Sequence, residues 1–142
     1  MIRSAHLKKA YAKGSELRGK VIGIIGFGRI GRAVARQGYG LGMHIAAHDP
    51  SVTDGSFDVQ FADGQSLKSS AKMMGLNELL STCDVVTVHV GGRSEVLGTA
   101  ELAAMKKGAY LINAARGGVV NEEALLNALD ADHLAGAALD VF

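Results

Sequence analysis

The chain has 142 residues, 48% of them hydrophobic, with one proline, one cysteine and a formal net charge of +1, a length that buries one substantial core rather than two. That charge gives no field for nucleic acid or an acidic membrane, and no apolar run approaches the roughly 18 residues of a bilayer span. One cysteine excludes an internal disulfide and the N-terminal stretch lacks the apolar core of a secretion signal, so a cytoplasmic protein without metal, membrane or nucleic-acid partner is expected.

In chain order, residues 3–13 read as a basic helix. Leu7 and Tyr11 stand four apart on one face that can dock, while Arg3, Lys8, Lys9 and Lys13 stay in water. Val21, Ile22, Ile24 and Ile25 then have the β-branched density of a buried parallel strand. Gly26-Phe27-Gly28-Arg29-Ile30-Gly31 follows at once and opens a helix for which Ile30, Val34, Tyr39 and Leu41 supply the buried stripe.

Between a strand and a helix, those glycines read as a dinucleotide-binding turn. Gly26 allows the tight exit from the strand, Gly28 leaves room for pyrophosphate, and Gly31 lets the helix lie close to the strand. The backbone N–H groups of Arg29 and Ile30 face the phosphates at the positive end of the helix. An ordinary strand-to-helix turn is the plainer alternative.

His44-Ile45-Ala46-Ala47-His48 makes a second strand closed by Asp49 and Pro50. Asp49 stands about 20 residues beyond the glycines, where a carboxylate accepts hydrogen bonds from the adenosine ribose hydroxyls and repels a 2′-phosphate. No Arg or Lys lies between Asp49 and Lys68, which favours NAD over NADP. A strand-ending Asp before proline is the alternative.

Ser51 to Ser70 is polar and glycine-containing, the least readable stretch, with a weak helix near its end. Ala71–Met74 reads as a short third strand, Asn77–Leu80 as a short helix, and Val85–His89 as a fourth strand, preceded by Cys83 as a small buried side chain. Thr99 caps a helix through Met105, Ala109–Asn113 makes the fifth strand, Asn121 caps a helix with Glu122 and Glu123 in its first turn, and Leu134–Leu139 makes the sixth. Strands interleaved with helices predict an α/β, Rossmann-type doubly wound parallel sheet of six strands in the order 3-2-1-4-5-6, with ligand across the carboxyl ends.

On that edge stand Asp49, His89, Asn113 to Arg116, and Asp140. His44 and His133 fall at the far rim, His6 in the basic helix, and His48 beside the adenosine end, which leaves His89 as the histidine near the nicotinamide. A histidine closing an apolar strand is more often packed and hydrogen-bonded than an acid or base. Ala114-Ala115-Arg116-Gly117-Gly118 turns sharply and aims a planar cation at the ligand edge, suited to bidentate capture of a small 2-oxo or 2-hydroxy acid. Its alternative is an ion pair with a nearby carboxylate.

Glu16-Leu17-Arg18-Gly19-Lys20, the turn Gly26 to Gly31, His48-Asp49-Pro50, and the block Met105 to Gly118 with its continuation Val119 to Leu125 and Gly136 to Phe142 resemble the D-isomer-specific 2-hydroxyacid dehydrogenases, phosphoglycerate dehydrogenase-like members above all. The resemblance implies an N-terminal helix and linker over residues 1–15, an NAD-binding domain over 16–142, and NAD-linked oxidation of a 2-hydroxy acid or the reverse reduction. It implies a cofactor site made by Gly26, Gly28, Arg29, Ile30, Gly31, Asp49, Pro50, His89 and Val90. Ala114, Ala115 and Arg116 would line the nicotinamide, Asp140 would hold the carboxamide, and Arg116 would be the catalytic residue that fixes the substrate carboxylate.

In that family the proton-exchanging His and its Glu partner lie downstream of Leu-Asp-Val-Phe, and the substrate domain comes from both flanks, so this chain alone is expected to be inactive. Its apolar ending reads as an excised cofactor domain. His89-Val90-Gly91-Gly92 stands where the family usually has His-x-Pro, the loop after it is shorter than common members carry, and Asn121 replaces a frequent Asp. The resemblance also implies dimers through cofactor-domain surfaces, with Leu7 and Tyr11 involved. The alternative is a stand-alone NAD-binding regulatory or protein-interaction module.

Overall fold

A strand covered on both faces needs apolar side chains in both directions, and Val21–Ile25 forms such a strand, β1. The computed structural model describes residues 14–141; the helix expected over residues 3–13 lies outside them, as does Phe142. β1 pairs in parallel with β2 (His44–His48) on one side and β6 (Val85–Val88) on the other. Beyond these lie β5 (Lys72–Met73) next to β2, then β7 (Tyr110–Asn113) and β8 (Gly136–Leu139), all parallel. The six-stranded sheet therefore runs β5-β2-β1-β6-β7-β8. Counted within the sheet this is 3-2-1-4-5-6, and the labels differ from the expected ones only because an unforeseen hairpin precedes the third strand.

Side chains of β1 alternate between two apolar clusters. Ile25 joins Val86, Val88 and Leu111 under Leu79 and Leu80 of α2 (Leu76–Thr82), Leu102 of α3 (Thr99–Ala104) and Leu125 of α4 (Glu122–Asp130). Ile22 and Ile24 face the other way, toward Ala35 of α1 (Arg29–Gly40), with Met43, Ile45 and Phe57.

The buried stripe expected on α1 is corrected except at Val34, which packs against the core. Ile30, Tyr39 and Leu41 are 63%, 39% and 54% exposed, and the buried helix residues are Gly31, Ala35 and Gly38. Close approach is the reason. A Cβ on Gly38 would stand 3.1 Å from Ile45 Cδ1 and 3.2 Å from Ile22 Cγ2, and one on Gly31 would overlap the Gly26 carbonyl oxygen. Large side chains on that face would prop the helix off the sheet.

Ser51 to Ser70 holds no helix. It forms an antiparallel hairpin of β3 (Ser56–Gln60) and β4 (Ser66–Ser70). Asp63-Gly64 makes the bend: Gly64, at φ +86°, donates to the Phe61 carbonyl at 3.0 Å, while Phe61 N–H donates to Gln65 O at 2.9 Å. The hairpin lies along α1, where Tyr39 meets Phe57 edge to face at 6.0 Å.

Helix ends follow local polar chemistry. Asn121 Oδ1 accepts the Ala124 N–H at 2.9 Å, the expected cap. The cap of α3 is Gly98 rather than Thr99, with Gly98 N–H donating to Glu101 Oε2 at 3.0 Å. Among the described residues no helix is long and apolar enough to cross a membrane.

Candidate functional site

The three glycines after β1 do three different things. Gly26 has φ +92°, and a Cβ there would stand 2.8 Å from the carbonyl carbon and oxygen of His89, so both conformation and space demand glycine. Gly31 carries α1 directly on the Gly26 carbonyl. Apart from its two chain neighbours, no described residue lies within 4 Å of a Cβ built on Gly28, which caps α1 and borders open space that a side chain would enter. The first-turn N–H groups of Arg29, Ile30 and Gly31 have no intrahelical acceptor, and no acidic side chain occupies that turn. An anion is the complementary ligand.

One strand away, the Asp49 carboxylate is already oriented. Oδ2 accepts the Phe27 N–H and Oδ1 the Ser51 N–H, each at 2.8 Å. Each oxygen keeps a second lone pair for a ligand hydroxyl. His48, before it, places Nδ1 3.0 Å from the Met74 carbonyl.

His89 continues the ladder past β6, its N–H donating to Ile25 O at 2.7 Å. Its Nε2 pairs with Thr87 Oγ1 at 2.8 Å, and Nδ1 is buried without a partner among the described residues. Burial pushes its pKa down, which disfavours the charged ring. This is a packed, hydrogen-bonded histidine at the cleft wall.

Gly26, Gly28, Asp49, Pro50, His89 and Val90 converge, with Ile25, His48, Ser51, Gly91 and Val96, around a cleft of about 470 Å³ at the carboxyl ends of β1, β2 and β6. Thr87, Ser51 and Val96 were not anticipated. Thr87 lies two residues before His89 on the same strand face, a legible signal. Val96 has none, because it reaches the cleft through a loop tied by its N–H to Val119 O at 2.8 Å.

Farther along the same edge lie the remaining expected residues, outside that cleft wall. Asn113, 2% exposed, shapes the turn after β7: Oδ1 accepts Ala115 N–H at 3.1 Å and Nδ2 donates to Arg116 O at 3.2 Å. Ala115 belongs to the core, and its carbonyl accepts Arg116 Nη1 at 2.7 Å, so it holds the turn while Ala114 stays exposed. Arg116 is exposed, and the ion pairs among the described residues, Lys72 with Glu78 and Lys106 with Asp84, do not include it. Asp140 is exposed after β8, its N–H donating to Asn113 O at 2.9 Å.

A second groove, of about 480 Å³, lies along β7 and β8 beside the start of β6, lined by Leu17, Tyr110, Ile112 and Ala138 with Glu16, Lys20 and Asp84 at its rim. No residue of the glycine turn lines it. Among the described residues no three His, Cys, Asp or Glu side chains gather as metal ligands. The open Gly28, the free helix N–H groups and the pre-oriented carboxylate together fit the phosphates and ribose of a dinucleotide.

Comparison with known proteins agrees. The family model described as D-isomer specific 2-hydroxyacid dehydrogenase, NAD binding domain, matches residues 1–142. The D-3-phosphoglycerate dehydrogenase of Bacillus subtilis is 39% identical over 149 residues, covering 99% of this chain and 26% of its own length. A D-lactate dehydrogenase from Treponema pallidum superposes with a TM-score of 0.79 at 33% identity, over 99% of this chain and 43% of that one. The NAD complexed form of a D-isomer specific 2-hydroxyacid dehydrogenase from Lactobacillus delbrueckii ssp. bulgaricus gives 0.76 at 30% identity, over 91% and 37%. The chain thus spans about a quarter of the length of the Bacillus relative.

Proposed function

The chain belongs to the D-isomer specific 2-hydroxyacid dehydrogenases, as their NAD binding domain, and from that premise we propose that residues 16–142 supply the cofactor half of an enzyme that moves a hydride between NAD and a small 2-hydroxy or 2-oxo acid. The observation that carries the reading is the convergence of Gly26, Gly28, Asp49 and His89 on one cleft. NAD supplies a hydride acceptor or donor at the nicotinamide ring.

In this reading Gly28 admits the pyrophosphate, Arg29 and Ile30 donate their N–H groups to it, Gly31 seats the helix, and Asp49 beside Pro50 takes the adenosine ribose. His89 and Val90 wall the cleft. Ala114 and Arg116 border the nicotinamide over the turn that Ala115 holds, and Asp140 meets the carboxamide. Arg116, exposed and outside the ion pairs of the described residues, orients the substrate carboxylate. His89, buried and bonded to Thr87, is read as part of the cleft wall and not as the acid–base group. That role, worth typically ~10²–10⁴-fold, is assigned in this reading to a substrate domain rather than to residues 16–142. The same reading includes pairing of two copies through cofactor-domain surfaces and a cytoplasmic setting.

Calorimetric titration of the chain with NADH and NADPH tests the cofactor role; saturable NADH binding is expected, and none by a folded chain refutes it. In a polypeptide carrying both domains, Arg116→Lys is expected to raise KM for the 2-oxo acid by more than it weakens NADH. An unchanged KM removes Arg116 from substrate binding.

A further inference from the structure

The hairpin has no part in the site as described, yet Arg32 ties it to the glycine turn by polar contacts beside the cluster that Phe27 and Phe57 share. Arg32, Arg36 and Tyr39 share a face of α1, at helical spacing, and that face meets β3. Arg36 Nε donates to Asp58 O at 2.7 Å. Arg32 Nη1 donates to Ser56 O at 3.1 Å and Nη2 to Asp54 O at 2.9 Å, so its planar fork spans the first hairpin carbonyl and one on the segment leading into it. Asp54 braces this segment, its carboxylate accepting the Ser56 N–H at 2.9 Å and the Ser56 hydroxyl at 2.7 Å.

The same guanidinium lies over the Phe27 ring, with Cζ 4.9 Å from the ring centroid. Phe27 stands between Gly26 and Gly28, so it is the one side chain that can anchor this stretch of backbone, and its ring is fully buried. Its N–H is the donor to Asp49 Oδ2.

We propose that Arg32 is a positioning residue for the dinucleotide. Held by those two carbonyls, it pins the Phe27 ring and thereby keeps the Phe27 N–H on the Asp49 carboxylate, which meets the adenosine ribose. It touches no cofactor itself. The inference rests on the NAD reading of the cleft. Two flanking glycines leave the turn little stiffness of its own. If the ring is released, the Phe27 N–H no longer holds Asp49, the carboxylate samples other orientations, and apparent affinity falls by the fraction of time it spends there. The loss is confined to the adenosine half of the ligand.

The test is a double-mutant cycle on the whole chain, with NADH, ADP-ribose and nicotinamide mononucleotide titrated against Arg32→Ala, Asp49→Ala and the double variant, and unfolding midpoints recorded for each. Arg32→Ala is expected to weaken NADH and ADP-ribose alike, roughly tenfold, to leave the mononucleotide unaffected, and to add nothing in the Asp49→Ala background. Arg32→Lys keeps the charge but not the fork and should reproduce most of the loss; with Phe27→Leu it carries the same cycle if Arg32→Ala does not fold. A merely structural Arg32 would lower the midpoint while its effect on binding added fully to that of Asp49→Ala, which overturns the inference, as does unchanged NADH affinity. Failure of the unaltered chain to bind NADH refutes the NAD reading and this inference with it; binding that ignores Arg32 refutes this inference alone.

Discussion

Asp49 and Phe27 are joined across the heads of β2 and β1 by one hydrogen bond, 2.8 Å from the Phe27 N–H to Asp49 Oδ2. The Ser51 N–H holds the other oxygen at the same distance, so the carboxylate is oriented before any ligand arrives. Pre-orientation lowers the cost of binding. A hydrogen bond to a charged group contributes about 1.5–3 kcal/mol, so Asp49→Ala should weaken NADH roughly 10- to 100-fold. It should also raise NADPH binding relative to NADH, because the repelling charge has gone. Parallel titrations at one salt concentration read both effects. Unchanged NADH affinity would reduce Asp49 to a brace of the turn.

Gly28 and Gly31 separate the site from the fold. An alanine methyl at 31 overlaps a backbone oxygen, which cannot move cheaply, so Gly31→Ala should cost about 3 kcal/mol or more in urea unfolding. At 28 the methyl meets no described residue, and stability should stay within about 0.5 kcal/mol. NADH affinity should nevertheless fall at least roughly tenfold, because the methyl occupies the space left for pyrophosphate. Intact NADH binding by Gly28→Ala would move the phosphates elsewhere.

The contrast between these two glycines also shows what a sequence carries. Strand β1, the glycine turn and Asp49 were legible because buried parallel strands and tight turns restrict residue type at each position. The packing face of α1 was not, since hydrophobic periodicity points to Ile30 and Tyr39 whereas close packing selects Gly31, Ala35 and Gly38. The hairpin was hidden because much of it faces water, leaving Phe57, Val59 and the Asp63-Gly64 bend as its signals. Arg32 was unreadable for a different reason: its partners are backbone carbonyls, which leave no trace in residue identity.

His89 should make stability depend on pH. Its folded pKa is lowered by burial, so below the unfolded value near ~6.5 the unfolded chain binds a proton that the folded chain refuses. Stability is fully present above that value and declines as pH falls toward the folded pKa. His89→Gln, whose amide can still pair with Thr87, should flatten the fall in urea midpoint between pH 7 and pH 5. An equal slope in both proteins would assign the effect to other groups.

At the opposite edge of the sheet Asp84 has two partners of unequal value. Oδ2 accepts the Val21 N–H at 2.8 Å and Oδ1 meets Lys106 Nζ at 2.7 Å. Burial pushes the carboxyl pKa up, but the Lys106 hydrogen bond, the Val21 N–H and the Lys106 and Lys20 charges outweigh it and hold it below the ordinary range. A depressed folded pKa means stability that is present above the unfolded value, near ~3.9, and lost as pH falls through the folded one. Lys106 is 47% exposed, so Lys106→Met should cost at most about 1 kcal/mol, less at high salt. Asp84→Ala strands the Val21 N–H at the start of the central strand as well as removing the ion pair and should cost about 1–3 kcal/mol, most of it remaining at high salt. Urea midpoints at low and high salt separate the two: if Lys106→Met proves the more damaging, the ion pair rather than the strand-capping hydrogen bond is what Asp84 contributes.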